Sequence, residues 1–236
     1  MNVQLIGLLI ACAITFVIVV PLKTALWRHA GAFYLGAIAL TVVYIWAIQT
    51  HARLTPIYVL TIILQKGYLS SLLLAIVMFT GCLNEGSAVR KWLQPIRAEL
   101  SILSFIFIVG HVFSYLPGYL GRFGVLFATR PHVAASLVIA TALTVLFLIL
   151  SVTSLRVVRR AMKARVWKNI QRFAYLMVVL LAVHICFVLG RSALSGSGGL
   201  QASITLSVYI AAVAIYGILR IRKALRDCQK KTVTAA

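Results

Sequence analysis

Acidic residues are nearly absent from this chain. Its 236 residues include 3 Asp and Glu against 23 Lys and Arg, a formal net charge of +20. Charged residues of both signs reach only 11%, while hydrophobic residues reach 62%. A soluble fold carries about 25% charged residues. The shortage excludes a water-soluble enzyme and a disordered chain. It also excludes a nucleic-acid-binding domain, because the basic residues lie between apolar runs rather than along one solvated face. Cysteine offers little: Cys12, Cys82, Cys186 and Cys228 form no Cys-x-x-Cys, so neither a zinc or redox pair nor a covalent haem motif is present. No internal repeat or low-complexity tract occurs, and the one Gly/Ser-rich piece, residues 195–199, reads as a short loop. What remains is an all-α integral membrane protein.

A helix needs about 20 apolar residues to cross the hydrocarbon. Seven segments qualify or nearly do: 3–26, 31–50, 56–83, 96–120, 132–154, 170–191 and 201–222. A six-span bundle results if the first is dropped. That first run has no basic residues before it and no small-residue cleavage site after it, so it reads as a retained helix rather than a signal peptide. Pro21 is placed to kink or end it. Lys66 and Gly67 divide the third segment and leave 67–83 as its core.

The basic residues orient the bundle. With the N-terminus outside, the inner loops hold Lys23 and Arg28, then Arg90, Lys91 and Arg97, then the run Arg156, Arg159, Arg160, Lys163, Arg165, Lys168 and Arg172. The tail adds Arg220, Arg222, Lys223, Arg226, Lys230 and Lys231, while only Arg53, Lys66, Arg122, Arg130 and Arg191 fall outside. This is a positive-inside pattern, with the C-terminus cytoplasmic and the chain multi-pass in the cell inner membrane. The cluster from Arg156 to Arg172 also suits anionic lipid head groups or an acidic cytoplasmic reductase. Glu85 and Glu99 are assigned to the inner connection between the third and fourth spans and Asp227 to the tail, which leaves no carboxylate within a span and weighs against a cation transporter or proton pump.

A titratable side chain inside a span is a site hypothesis by default. His29, His51 and His132 fall at span boundaries, where an interfacial position accounts for them. His111 and His184 lie deep in apolar sequence. Arg97 precedes His111 by 14 residues and Gln171 precedes His184 by 13, so both imidazoles sit about 20 Å from the inner boundary of helices running the same way. Two neutral imidazoles at one depth can fill both axial positions of a haem, a closed site suited to electron transfer. Gly110, next to His111, is expected to clear space for the macrocycle. The bland alternative is two histidines bonded to backbone or serine groups across helices. Zinc is disfavoured, because no third ligand is placed at this depth.

With these residues in hand, the chain resembles the ferric reductase-like transmembrane domain family, closest to its MsrQ/YedZ branch of haem-binding membrane subunits. The likeness covers residues 57–191. It rests on Gln94-Pro95-Ile96-Arg97-Ala98-Glu99-Leu100 with His111-Val112-Phe113-Ser114-Tyr115, on Thr129-Arg130-Pro131-His132-Val133, on Val152-Thr153-Ser154, and on Trp167-Lys168-Asn169-Ile170-Gln171-Arg172-Phe173-Ala174-Tyr175 followed by His184. The wider family holds two stacked haems with two histidines 14 apart and two 13 apart. The resemblance implies His111 and His184 as axial ligands of an outer haem b. The inner positions are Arg97, as in the MsrQ branch, and Gln171, a departure from the family.

Three arrangements follow: one outer haem only, an inner haem held by His29, or an inner site given to a quinone or flavin. Arg97 would balance haem propionates or an anionic cofactor, and Arg130 and His132 would do similar work at the outer haem edge or a docked partner. Residues 1–56 form two helices outside the likeness, 192–222 the last helix and 223–236 a basic tail. No flavin or nicotinamide domain follows the last span, so any such module is expected on a separate protein.

The expected function is that of a membrane electron-transfer subunit. It would carry electrons from a quinol or a cytoplasmic flavin or NAD(P)H reductase to an extracytoplasmic reductase subunit or flavoprotein. A ferric reductase component, and a haem-free scaffold or transporter, are the alternatives.

Overall fold

The computed structural model describes residues 3–50, 61 and 63–235. Among these every regular element is helical: α1 (Val3–Val19), α2 (Lys23–Arg28), α3 (Ala30–Gln49), α4 (Tyr68–Thr80), α5 (Ala88–Leu93), α6 (Arg97–Leu120), α7 (Phe123–Thr129), α8 (Pro131–Val152), α9 (Arg156–Ala161), α10 (Ala164–Arg172), α11 (Ala174–Leu194) and α12 (Gly199–Ala235). Among the described residues five apolar helical stretches are long enough to cross a membrane: Ala30–Gln49, Ala88–Leu120, Pro131–Val152, Ala164–Leu194 and Ala202–Gln229. Two more, Ile6–Val19 and Tyr68–Thr80, are apolar but shorter. At 13 residues, α4 is about 20 Å long, less than the ~30 Å hydrocarbon layer. Residues 56–60 and 62 of the expected 56–83 span lie outside the described residues.

The chain is a multi-pass, membrane-type helical protein. Its spans turn large apolar side chains outward, with Leu35 69% and Val42 58% exposed on α3 and Val208 61% exposed on α12. Apolar area on this scale is stable only against lipid or another protein.

Local chemistry sets several helix ends. Pro21 closes α1 at Val19, and a turn leads into α2. Gly67 takes the left-handed region at φ 68° and opens α4. Ser87 caps α5 by accepting the Arg90 N–H at 3.2 Å. Gly196 and Gly199, at φ 70° and 63°, close the 195–199 turn between α11 and α12. The last helix does not stop at residue 222, as the spans imply. It runs 37 residues, through the basic tail, because nothing after Arg222 breaks it: Ala, Leu, Arg, Gln and Lys there are good helix formers.

The helices gather into two compact units. The first comprises Met1–Thr80, Gly86–Leu120 and Ser151–Ala161. In it α6 packs on α3 and α4, and α4 packs on α1. Leu26, Tyr44, Leu73, Ile96 and Leu100 are fully enclosed in its core. Helices α4 and α6 are tied by Ser70 and Ser104. Each hydroxyl donates to the other's carbonyl, at 2.8 and 2.7 Å. Such small-residue, hydrogen-bonded seams suit lipid, where apolar burial between helices gains little.

One end of this unit collects three connections distant in sequence. Lys23 of α2 lies 4.5 Å from the Trp92 ring centre. Arg156 of α9 donates to Glu99 of α6 and to the Trp27 carbonyl of α2. These are connections the charge pattern assigns to a common side, and within the unit they share one end.

The second unit comprises Gly81–Glu85, Gly121–Leu150 and Met162–Ala236. It is built on the packing of α11 against α12. Arg220 of α12 donates to the Gly81 carbonyl at 3.0 Å, stacks 4.9 Å over the Tyr175 ring and bonds the Tyr175 hydroxyl.

Candidate functional site

His111 sits mid-helix in α6, half-buried, with its ring at the start of α4. Its Nδ1 lies 2.6 Å from the Gln65 carbonyl oxygen. A carbonyl only accepts, so Nδ1 carries the proton and the ring's lone pair is on Nε2. Gly67 keeps this approach open: a Cβ there would meet Ile108 Cδ1 at 3.3 Å and His111 Nδ1 at 3.7 Å.

His184 is arranged alike in the second unit. Its Nδ1 lies 2.9 Å from Ser136 Oγ and 3.2 Å from the Ser136 carbonyl. Ser136, on α8, is buried. The carbonyl suits an Nδ1–H tautomer with the lone pair on Nε2, while the nearer Ser136 hydroxyl can either donate to or accept from the ring. A histidine whose Nδ1–H is held by a carbonyl is fixed in orientation and made a better donor at Nε2, the usual support for a metal-bound imidazole. The donor chemistry of both residues therefore fits axial ligation of a haem.

Gly110 does something other than expected. Its missing Cβ makes room for Tyr44, whose ring atoms would lie 3.2 and 3.3 Å away, and for Thr41 at 3.5 Å. The space is filled by α3. Tyr44 is fully buried and its hydroxyl pairs with Ser114 Oγ at 2.6 Å. This glycine serves helix packing, and the role expected for it beside a macrocycle is corrected.

The two residues at the inner positions share a structural task. Arg97 Nε donates to the Val77 carbonyl at 3.2 Å, and Gln171 Nε2 donates to the Leu150 carbonyl at 3.3 Å. Val77 and Leu150 belong to the last turns of α4 and α8, where carbonyls have no intrahelical donor. Each residue caps an earlier helix, a role both guanidinium and carboxamide can fill.

Arg130 is exposed and ends α7, and half-exposed His132 is the second residue of α8 after Pro131. His29 is exposed at the junction of α2 and α3, where its N–H donates to the Ala25 carbonyl at 2.7 Å. His51 lies outside the described residues.

Sequence reasoning missed Glu99. It is assigned above to a connection, yet it is the third residue of α6 and 2% exposed. Its Oε1 accepts from Arg156 Nε at 2.9 Å and from an Arg156 terminal nitrogen at 2.6 Å. A carboxylate in a helix's first turn is also favoured by the helix dipole. The view that no carboxylate enters a span therefore needs correcting, because Glu99 lies in the apolar stretch Ala88–Leu120. Only the spacing of Glu99 from a helix start was visible in sequence; the partner stands 57 residues away.

An apolar cleft of about 400 Å³ opens in the first unit between Ile14, Phe33, Leu40, Ile63, Leu103 and Phe107. Its lining accepts hydrocarbon and offers nothing to a polar head group. Among the described residues no three His, Cys, Asp or Glu side chains cluster as a metal site. A haem asks less of the protein, two axial donors at most.

No family model matches the chain, and no solved structure matches it. An uncharacterized protein of Treponema pallidum (strain Nichols) is 31% identical over 216 residues. The match covers 89% of this chain and 58% of that protein. The chain thus spans little more than half the length of this relative, which is related along almost the whole of the present sequence.

Proposed function

We propose that this chain is the haem-binding membrane subunit of an electron-transfer system, akin to the ferric reductase-like transmembrane proteins. The observation that carries the reading is the matched support of two histidines deep in apolar helices. Each has Nδ1 against a backbone carbonyl, joined at His184 by the nearer Ser136 hydroxyl, and with the proton on Nδ1 each ring offers its lone pair at Nε2. Each stands as a candidate axial ligand of haem b, and the two lie at equal depth in the sequence of their helices. A bound haem supplies a one-electron carrier in a low-dielectric site. The protein's part is to orient the imidazoles through Gln65 and Ser136 and to surround the group with apolar helix.

The reading favours a single haem. Arg97 and Gln171, which stand where inner ligands would be, are engaged as caps of α4 and α8, and carboxamide is a poor iron ligand. The donor is then a membrane quinol or a cytoplasmic flavin or NAD(P)H reductase, and the acceptor an extracytoplasmic reductase subunit or flavoprotein. Arg130 and His132 stand near the start of α8, on the side assigned to the acceptor.

The test is a reduced-minus-oxidised optical spectrum with haem quantified per chain. One low-spin haem b per chain in the wild type, lost in His111→Ala and in His184→Ala, is expected. A folded preparation without haem would sink the proposal, and two haems per chain would sink its single-haem form.

A further inference from the structure

The ring of His111 is the first of three in a row. On α6, His111, Tyr115 and Tyr119 follow at intervals of four residues, so they stand one above another on a single helix face. The His111 and Tyr115 ring centres are 5.1 Å apart, with planes tilted 59°. The Tyr115 and Tyr119 centres are 6.4 Å apart, with planes 28° apart, nearly stacked. Both separations are contact distances for aromatic rings. The row runs towards the C-terminal end of α6 at Leu120, and Tyr119 is 36% exposed. Eight residues of helix carry it about 12 Å along the axis.

We infer that this row is the route by which an electron leaves the haem for an acceptor at the Tyr119 end. The inference rests on the haem reading above and assigns that site its exit. Electron tunnelling weakens steeply with distance, and less steeply through touching π-systems than through aliphatic side chains or gaps. His111 is itself a proposed axial ligand, so its ring is electronically joined to the iron. Tyr115 and Tyr119 extend a through-space ring contact towards the end of α6. The rings act as a bridge only. Each keeps its electrons and its phenolic proton; the ferrous haem loses one electron and a flavin or ferric acceptor outside gains it. The function therefore needs the rings and not the hydroxyl groups.

The experiment follows reoxidation of dithionite-reduced protein in detergent by a membrane-impermeant acceptor, ferricyanide, in rapid mixing. Tyr115→Leu and Tyr119→Leu are compared with Tyr115→Phe and Tyr119→Phe. Haem content, absorption bands and midpoint potential are recorded for each. Expected are unchanged content, bands and potential in all, a rate lowered on the order of tenfold in the leucine variants, and near wild-type rates in the phenylalanine variants. Haem present with wild-type rates in both leucine variants would overturn the exit route and leave the haem reading standing. A phenylalanine variant as slow as its leucine counterpart would overturn the bridge by showing that the hydroxyl matters. Should Tyr115→Leu lose haem, Tyr119→Leu decides alone, two turns from His111. A wild type without haem overturns the haem reading and this route together.

Discussion

Ser136 and Gln65 set the orientation of the two deep histidines through contacts to Nδ1. Ser136→Ala keeps the backbone carbonyl but removes the closer hydroxyl at 2.9 Å. Loss of an outer partner weakens metal affinity by roughly 10–100-fold; with the carbonyl kept, the proposed haem site should show the lower end of that range, releasing haem faster while the protein stays folded. Competition with an apo-haem acceptor protein measures it. Glycine provides a contrast at the same scale. Gly110→Val should lower stability by about 1–3 kcal/mol through overpacking: Tyr44 stands at 3.2 Å, is fully enclosed and is held by Ser114, so it has nowhere to go. Gly36→Ala meets nothing within 4 Å and should be neutral or gain about 1 kcal/mol of helix propensity. Thermal unfolding in detergent separates the two. His111 and His184 were legible in sequence, because a titratable group in an apolar run stands out. The tyrosine beside Gly110 was not, since it comes from another helix.

At the scale of elements, the pair Glu99 and Arg156 joins the start of α6 to the start of α9, and through the Trp27 carbonyl to α2. Arg156 is half-exposed while Glu99 is 2% exposed, so removing the arginine strands a buried carboxylate. Arg156→Met should cost about 3 kcal/mol. The double replacement Glu99→Gln with Arg156→Met should recover much of this, because the uncompensated charge goes with it. A cycle of unfolding midpoints over wild type, the two singles and the double tests the coupling; additive effects would show that the two side chains act independently. Helix α12 carries the second test. Its 37 residues correspond to about 55 Å, more than the hydrocarbon requires, so its last third must extend beyond the bilayer or lie along it.

For the whole molecule, the charge pattern assigns residues 195–199 and the tail to opposite sides. Single cysteines at Ser197 and Asp227, in a background with the four native cysteines replaced, should be labelled by an impermeant maleimide from opposite faces of sealed inverted vesicles. Asp227 should react without permeabilisation and Ser197 only after it. Labelling of both from one face would contradict a spanning α12. Among the described residues five stretches are long and apolar enough to span, and α1 and α4 are apolar but shorter. Pro21 lies just past the end of α1 and the glycine turn at residue 67 just before α4.

Composition, apolar run length and the placement of Lys and Arg determined by themselves that this is a helical membrane protein, roughly where its helices run, and that two histidines lie deep among them. Those features depend on each residue's own transfer between water and lipid, and that is local. Tertiary structure alone decided what the polar groups do: that Arg97 and Gln171 cap α4 and α8, that Gly110 receives Tyr44, that Glu99 is buried against Arg156, and that His111 holds the Gln65 carbonyl. In hydrocarbon a polar atom must find its partner within the protein, and for these groups that partner lies on another helix or turn, from 20 to 129 residues away in sequence.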